Sequence, residues 1–128
     1  MAESILVIDD NPQNLRLARM VLRSAGYEVH TAVDAESALV ALETVAPALI
    51  VMDVQLPGMD GLELTRRLKA VPRWRHVPVL ALSAYAMKGD ELKALDAGCD
   101  GYLTKPMDAD ALPRAVAALI AKFQGVAV

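Results

Sequence analysis

Five short apolar runs alternate along the chain with stretches of helical periodicity, and this alternation restricts the fold more than any other feature. Ile5-Leu6-Val7-Ile8 is a continuous apolar run, largely β-branched, as expected of a strand covered on both faces. It stops at Asp9-Asp10, and Asn11-Pro12 then reads as an N-cap with proline in the first helical position. Leu15, Ala18, Leu22 and Ala25 recur at helical spacing and Gly26 supplies the stop. Tyr27 to Thr31 alternates apolar and polar residues, the pattern of a half-exposed edge strand. Asp34 can cap a second helix through Ala38, Leu42 and Val45, which ends before Pro47. Ala48 to Met52 is a third strand running into Asp53, Leu56-Pro57-Gly58 is turn chemistry, and Leu64 and Leu68 mark a third helix. Val77 to Leu82 is a fourth strand, Met87 to Ala97 a weaker helix interrupted by Gly89, and Gly101 to Leu103 a short fifth strand. A last helix occupies about Asp108 to Phe123, with Pro113 too deep for a start at Ala109, so regular helix should begin after Asp110.

Strands joined by helices must run parallel, and right-handed crossovers put helices on both faces. The expected fold is therefore α/β: a doubly wound, five-stranded parallel sheet of flavodoxin-like order 2-1-3-4-5 with five helices. With 128 residues and no linker or repeat, residues 1–128 read as one domain with no effector domain attached. A net charge of −3 argues against nucleic-acid binding by bulk charge, and a single cysteine excludes a disulfide framework or multi-cysteine zinc site. No apolar run approaches the roughly 20 residues needed to span a bilayer. The start Met1-Ala2-Glu3-Ser4 lacks a secretory signal, so a cytoplasmic protein without membrane contact is expected.

In such a sheet function gathers beyond the carboxyl ends of the strands. Those ends bring Asp9, Asp10, Asp53, Ser83 and Lys105 onto one rim. Three close carboxylates repel one another, and an all-oxygen acidic cluster suits a hard divalent cation, Mg²⁺ (or Mn²⁺). Lys105 adds a mobile cation suited to a carboxylate or phosphoryl oxygen, and an aspartate so placed can act as a nucleophile toward phosphorus.

Four stretches then identify a resemblance: residues 5–11 (Ile5 to Asn11), residues 49–61 (Leu49 to Gly61), Ala81-Leu82-Ser83-Ala84, and Gly101-Tyr102-Leu103-Thr104-Lys105-Pro106. In this order and strand context the chain resembles the receiver domains of bacterial two-component response regulators over essentially its whole length. The resemblance implies that Asp53 accepts a phosphoryl group from a phosphohistidine on a histidine kinase or histidine phosphotransfer protein. It implies Mg²⁺ bound directly by Asp10, Asp53 and the Gln55 backbone carbonyl, with Asp9 acting through water. Ser83 and Tyr102 match the family's switch pair, Lys105 its phosphate-binding lysine, Lys105-Pro106 its cis peptide, and Gln55 and Tyr85 the residues flanking phosphate access. The face of the fourth helix, fifth strand and fifth helix would then engage a downstream protein target. The stretch Ala84 to Glu91 is similar to single-domain receivers of the cell-division-control type and to receivers fused to hybrid kinases. A complete regulator and a domain excised from a larger protein both fit, and Met1 close before the first strand favours the former.

Other readings compete. An aspartyl-phosphate phosphatase needs an acid–base aspartate two residues after its nucleophile, and Gln55 stands there. A flavodoxin-like cofactor binder needs a phosphate cradle where Asp9-Asp10 would repel it. A receiver that never uses phosphate would lack an acidic residue or the lysine. Cys99 reads as a small buried hydrophobe, and His30 and His76 as isolated surface residues. Arg66, Arg67, Lys69, Arg73, Trp74, Arg75 and His76 read as a solvated helix face and loop, not a nucleic-acid site.

Overall fold

The computed structural model describes residues 3–83, 90–105 and 109–123. Five parallel strands, β1 (Ser4–Ile8), β2 (Glu28–Ala32), β3 (Leu49–Asp53), β4 (Val79–Ser83) and β5 (Gly101–Thr104), form one sheet ordered β2-β1-β3-β4-β5. Helices α1 (Pro12–Ser24), α2 (Ala35–Thr44), α3 (Gly61–Ala70), α4 (Asp90–Ala97) and α5 (Ala111–Phe123) connect and follow them. The expected doubly wound topology is the observed one.

Side-chain alternation along the strands divides the core into two layers. Leu6, Ile8, Ile50, Met52, Val79 and Ala81 pack with Ala38 and Leu42 of α2, Leu64 and Leu68 of α3 and Ala94 of α4. Ile5, Val7, Leu49, Val51, Leu80 and Leu82 face the other way, onto Ala18 and Leu22 of α1 and Leu112, Val116 and Ile120 of α5. Both faces of the central strands are dry, which is why their sequences are unbroken apolar runs.

The boundaries differ from the sequence reading where turn chemistry claims a residue. β2 begins at Glu28 because the Tyr27 N–H closes α1, donating to the Leu22 carbonyl at 3.1 Å behind Gly26 at φ +99°. β4 begins at Val79 because the Val77 N–H donates to Trp74 at 3.0 Å and Pro78 has no N–H to offer. β3 runs on to include Asp53, which pairs in register with Leu82. Pro113 is the third residue of α5, where its missing N–H has no intrahelical partner to lose. The start of the fourth helix read at Met87, and the cap read at Asp108, fall outside the described residues.

At the amino end of the sheet a polar knot ties α3 to β4 and β5. Lys69 Nζ donates to Asp100 Oδ2 at 2.9 Å and to the Val77 carbonyl at 2.8 Å, while the Val79 N–H donates to the same Asp100 oxygen at 2.8 Å. Gly98, at φ +107°, lies over the Lys69 stem, where a β-carbon would come within 2.9 Å of its Cγ. Replacing Asp100 removes the counter-charge of a largely buried ammonium and leaves the Val79 N–H without its acceptor. Asp100→Ala is therefore expected to lose about 2–4 kcal/mol in urea unfolding, well beyond an exposed ion pair, whereas Glu63→Ala, whose Arg66 partner is 3.9 Å away and exposed, should lose less than about 0.5 kcal/mol.

Candidate functional site

The carboxyl ends of β1, β3 and β5 converge on one acidic rim. Asp9 follows β1, held by its N–H donating to the Ala32 carbonyl of β2 at 3.0 Å, and Asp10 follows it into solvent. Asp53 closes β3. One carboxylate oxygen from each of Asp9, Asp10 and Asp53 lies within 4.8 Å of the others. Asp9 and Asp53 are only 1% and 2% exposed, so two of the three charges are removed from water.

Lys105, just beyond β5, reaches across the end of β4 to both. Its Nζ stands 3.2 Å from Asp9 Oδ2 and 3.2 Å from Asp53 Oδ1. Among the described residues the backbone adds two donors: the Asn11 N–H to Asp9 Oδ1 at 2.9 Å and the Gln55 N–H to Asp53 Oδ1 at 3.1 Å. Burial, then the neighbouring Asp9 charge, push the Asp53 carboxyl up to about 6, against the opposing pull of Lys105 and the Gln55 N–H.

Asp9 Oδ2 is buried without a hydrogen-bond partner, because Lys105 is at ion-pair distance but outside hydrogen-bond alignment. A buried carboxylate oxygen left in that state beside two further carboxylates fits a hard, oxygen-seeking divalent cation. The donor set contains no sulfur or imidazole, which argues against softer metals.

Ser83 is buried at the end of β4, one position beyond Leu82, the partner of Asp53, and its carbonyl accepts from the Lys105 N–H at 2.7 Å. Tyr102 is half-buried on β5 and packs toward the α2–α3–α4 layer. Gln55 is exposed beside Asp53. Tyr85 and Pro106, and with it the Lys105-Pro106 peptide, lie outside the described residues.

The residues set aside in the sequence stay apart from the rim. His30 contacts Glu28 at 2.9 Å on exposed β2. Cys99 is buried against Thr65, and burial raises its thiol pKa, so it is a core residue. The basic run is divided among separate duties. Lys69 serves Asp100, Arg73 donates to the Leu42 and Glu43 carbonyls at the end of α2, and Arg66 lies near Glu63. Clefts of about 150, 300 and 250 Å³ open elsewhere on the surface, and the three aspartates line none of these three.

Sequence reasoning missed the backbone donors Asn11 and Gln55, since any residue can supply an N–H. It also missed Gly61, the first residue of α3, although the Asp60 cap before it was visible as an aspartate three residues ahead of Glu63.

Comparison with known proteins places this geometry among relatives. The response regulator receiver domain family matches residues 5–117. The polar-differentiation response regulator DivK of Brucella ovis is 41% identical over 110 residues, covering 84% of this chain and 87% of that protein. The receiver domain of the sensor histidine kinase PA1611 of Pseudomonas aeruginosa, solved with a magnesium ion coordinated in its active-site cleft, superposes with a TM-score of 0.86. It is 36% identical, over 94% of this chain and 99% of that one. The chemotaxis response regulator CheY4 of Vibrio cholerae superposes with a TM-score of 0.87 at 25% identity, over 93% and 99% of the two chains.

The raised Asp53 carboxyl fixes a sign for pH dependence. The folded protein holds this proton up to about pH 6, whereas the unfolded chain releases it near the ordinary value of 3.8. The stabilisation from the bound proton is complete below about pH 4 and is lost as pH rises through 6. With chelator present, Asp53→Asn is expected to be about 1–3 kcal/mol more stable than the parent at pH 7, and the gain should fade toward pH 4 in urea titrations.

Proposed function

The chain belongs to the response regulator receiver family of two-component signalling, and from that premise we propose that Asp53 is its phosphoacceptor. The observation that carries this reading is a buried carboxylate held at the end of the central strand between Asp9 and Lys105. In the transfer, one Asp53 oxygen bonds to the phosphorus of a partner phosphohistidine as the phosphorus–nitrogen bond breaks. The electron pair stays on the imidazole nitrogen, which takes a proton from solvent.

Asp53 is the nucleophile, and only its ionised form can attack. Lys105 stands where it can follow the incoming charge from carboxylate to phosphoryl oxygen, and the Ser83 hydroxyl can donate to a second oxygen. Asp10, Asp53 and the Gln55 carbonyl would hold Mg²⁺, with Asp9 acting through water, and the ion would supply charge neutralisation for the phosphoryl oxygens. Gln55, exposed beside Asp53, can influence the access of hydrolytic water, the role that the family resemblance also implies for Tyr85. Gln55 is an amide and cannot serve as the acid–base group of a dedicated phosphatase, so the reading is a phosphoacceptor switch and not a turnover enzyme.

The readout is the face of α4, β5 and α5. Ser83 turning toward the phosphoryl group vacates space that Tyr102 enters from the neighbouring strand. Leu92 and Leu95 of α4 are 65% and 45% exposed, an apolar pair suited to a protein target that distinguishes the two states.

With acetyl phosphate and Mg²⁺, intact-mass measurement should show one added phosphoryl group, absent in Asp53→Asn and after chelation of the metal. Lys105→Ala should slow uptake by roughly 10²-fold or more. In backbone NMR, phosphorylation should move signals of residues 90 to 103, and Tyr102→Ala should mute that response and weaken target binding. Uptake that survives Asp53→Asn would remove the assignment.

A further inference from the structure

Among the described glycines, Gly61 is the one whose missing side chain would meet the end of β3. It is not there for backbone freedom, because the positive-φ glycines are Gly26, Gly58 and Gly98. At Gly26 and Gly58 an added β-carbon would meet nothing within 4 Å. At Gly61 it would collide with the carbonyl oxygen of Asp53 and come within 3.0 Å of both the Asp53 carbonyl carbon and Met52 Cγ. The obstacle is chiefly backbone of a central strand, which cannot rotate away.

The same residue closes the loop that follows β3. The Gly61 N–H donates to the Val54 carbonyl at 2.9 Å, so residues 55–60 are pinched between two fixed points. The loop's first residue is Gln55, whose N–H reaches Asp53 Oδ1. From the helix side Gly61 is held in turn. Asp60 accepts from the Glu63 N–H at 2.8 Å, and the hydroxyl of fully buried Thr65 donates to the Gly61 carbonyl at 2.8 Å.

We infer that Gly61 is a positioning residue for Asp53: by admitting the first turn of α3 against the Asp53 carbonyl, it sets the backbone from which the carboxylate and its Gln55 donor project. Thr65 pins Gly61 in that position. The inference rests on the phosphoacceptor reading for its consequence in rate, and on geometry alone for its consequence in structure. A β-carbon at position 61 must move either α3 or the end of β3, and a displacement of about 1 Å at a nucleophile lowers rates by up to roughly 10²-fold.

The experiment compares the full chain with Gly61→Ala, Thr65→Val, Thr65→Ser and Leu68→Ala. Leu68 is buried about two turns further along α3 and away from the rim, so its truncation measures what lost stability alone does. Each protein is checked by urea unfolding, by the amide NMR signal and solvent-exchange rate of Gln55, and by the rate of phosphorylation with acetyl phosphate and Mg²⁺. Gly61→Ala is expected to shift the Gln55 signal, speed its exchange, and slow phosphorylation by roughly 10- to 100-fold, with Leu68→Ala remaining within about threefold of the parent. Thr65→Val should move the Gln55 signal in the same direction by a smaller amount, and Thr65→Ser should restore it. If Gly61→Ala keeps the Gln55 signal and the parental rate, or Leu68→Ala is slowed equally, the inference is overturned. Should Gly61→Ala fail to fold, the Thr65 pair decides: an unmoved Gln55 amide in Thr65→Val overturns it. The amide is read on unphosphorylated protein. A parent that takes up no phosphoryl group would therefore remove the phosphoacceptor reading while leaving the positioning role to be settled by the Gln55 signal.

Discussion

Two carboxylates buried at adjacent strand ends cost several kcal/mol unless a counter-charge reaches them, and here that charge arrives from the edge of the sheet. Lys105 lies two strands away from Asp53 and three from Asp9, yet its ammonium is 3.2 Å from each. The pairing of β4 with β5 is therefore an electrostatic requirement of β1 and β3 as much as a hydrogen-bonded ladder. It also gives Lys105 its place just beyond the short edge strand: its N–H donates to the Ser83 carbonyl at 2.7 Å and its side chain spans the end of β4 to reach Asp53.

The balance is deliberately incomplete in a chemical sense. Among the described residues Lys105 is shared by Asp9 and Asp53; burial and the neighbouring Asp9 charge leave Asp53 with a raised proton affinity, and one Asp9 oxygen has no hydrogen-bond partner. This rim keeps a demand for positive charge, which a hard divalent cation would meet.

Much of this was legible in the sequence because the physics acting there is local. Apolar runs such as Leu49 to Met52 mark strands buried on both faces, Asn11 and Asp34 announce helix starts, and three aspartates at two strand ends disclose the chemistry once the strand order follows from right-handed crossovers. The errors were of one kind. Strand starts at Glu28 and Val79 shifted because single N–H groups were claimed by preceding turns, an accounting that needs coordinates. The knot of Lys69, Asp100 and Val79 was hidden because partners 31 residues apart leave no periodic trace, and Lys69 was submerged in a run of other cations. Gly61 was visible as a letter but not as a contact, since a glycine required by space looks like a glycine required by a turn.

The span of the rim along the chain has a consequence for how the molecule comes into being. Asp9 and Lys105 are separated by almost the whole domain, so their contact is among the most non-local that the fold makes. Only with β5 in place does the ammonium stand between the two buried carboxylates, so the docking of the edge strand and the charge balance of the distant rim stand or fall together.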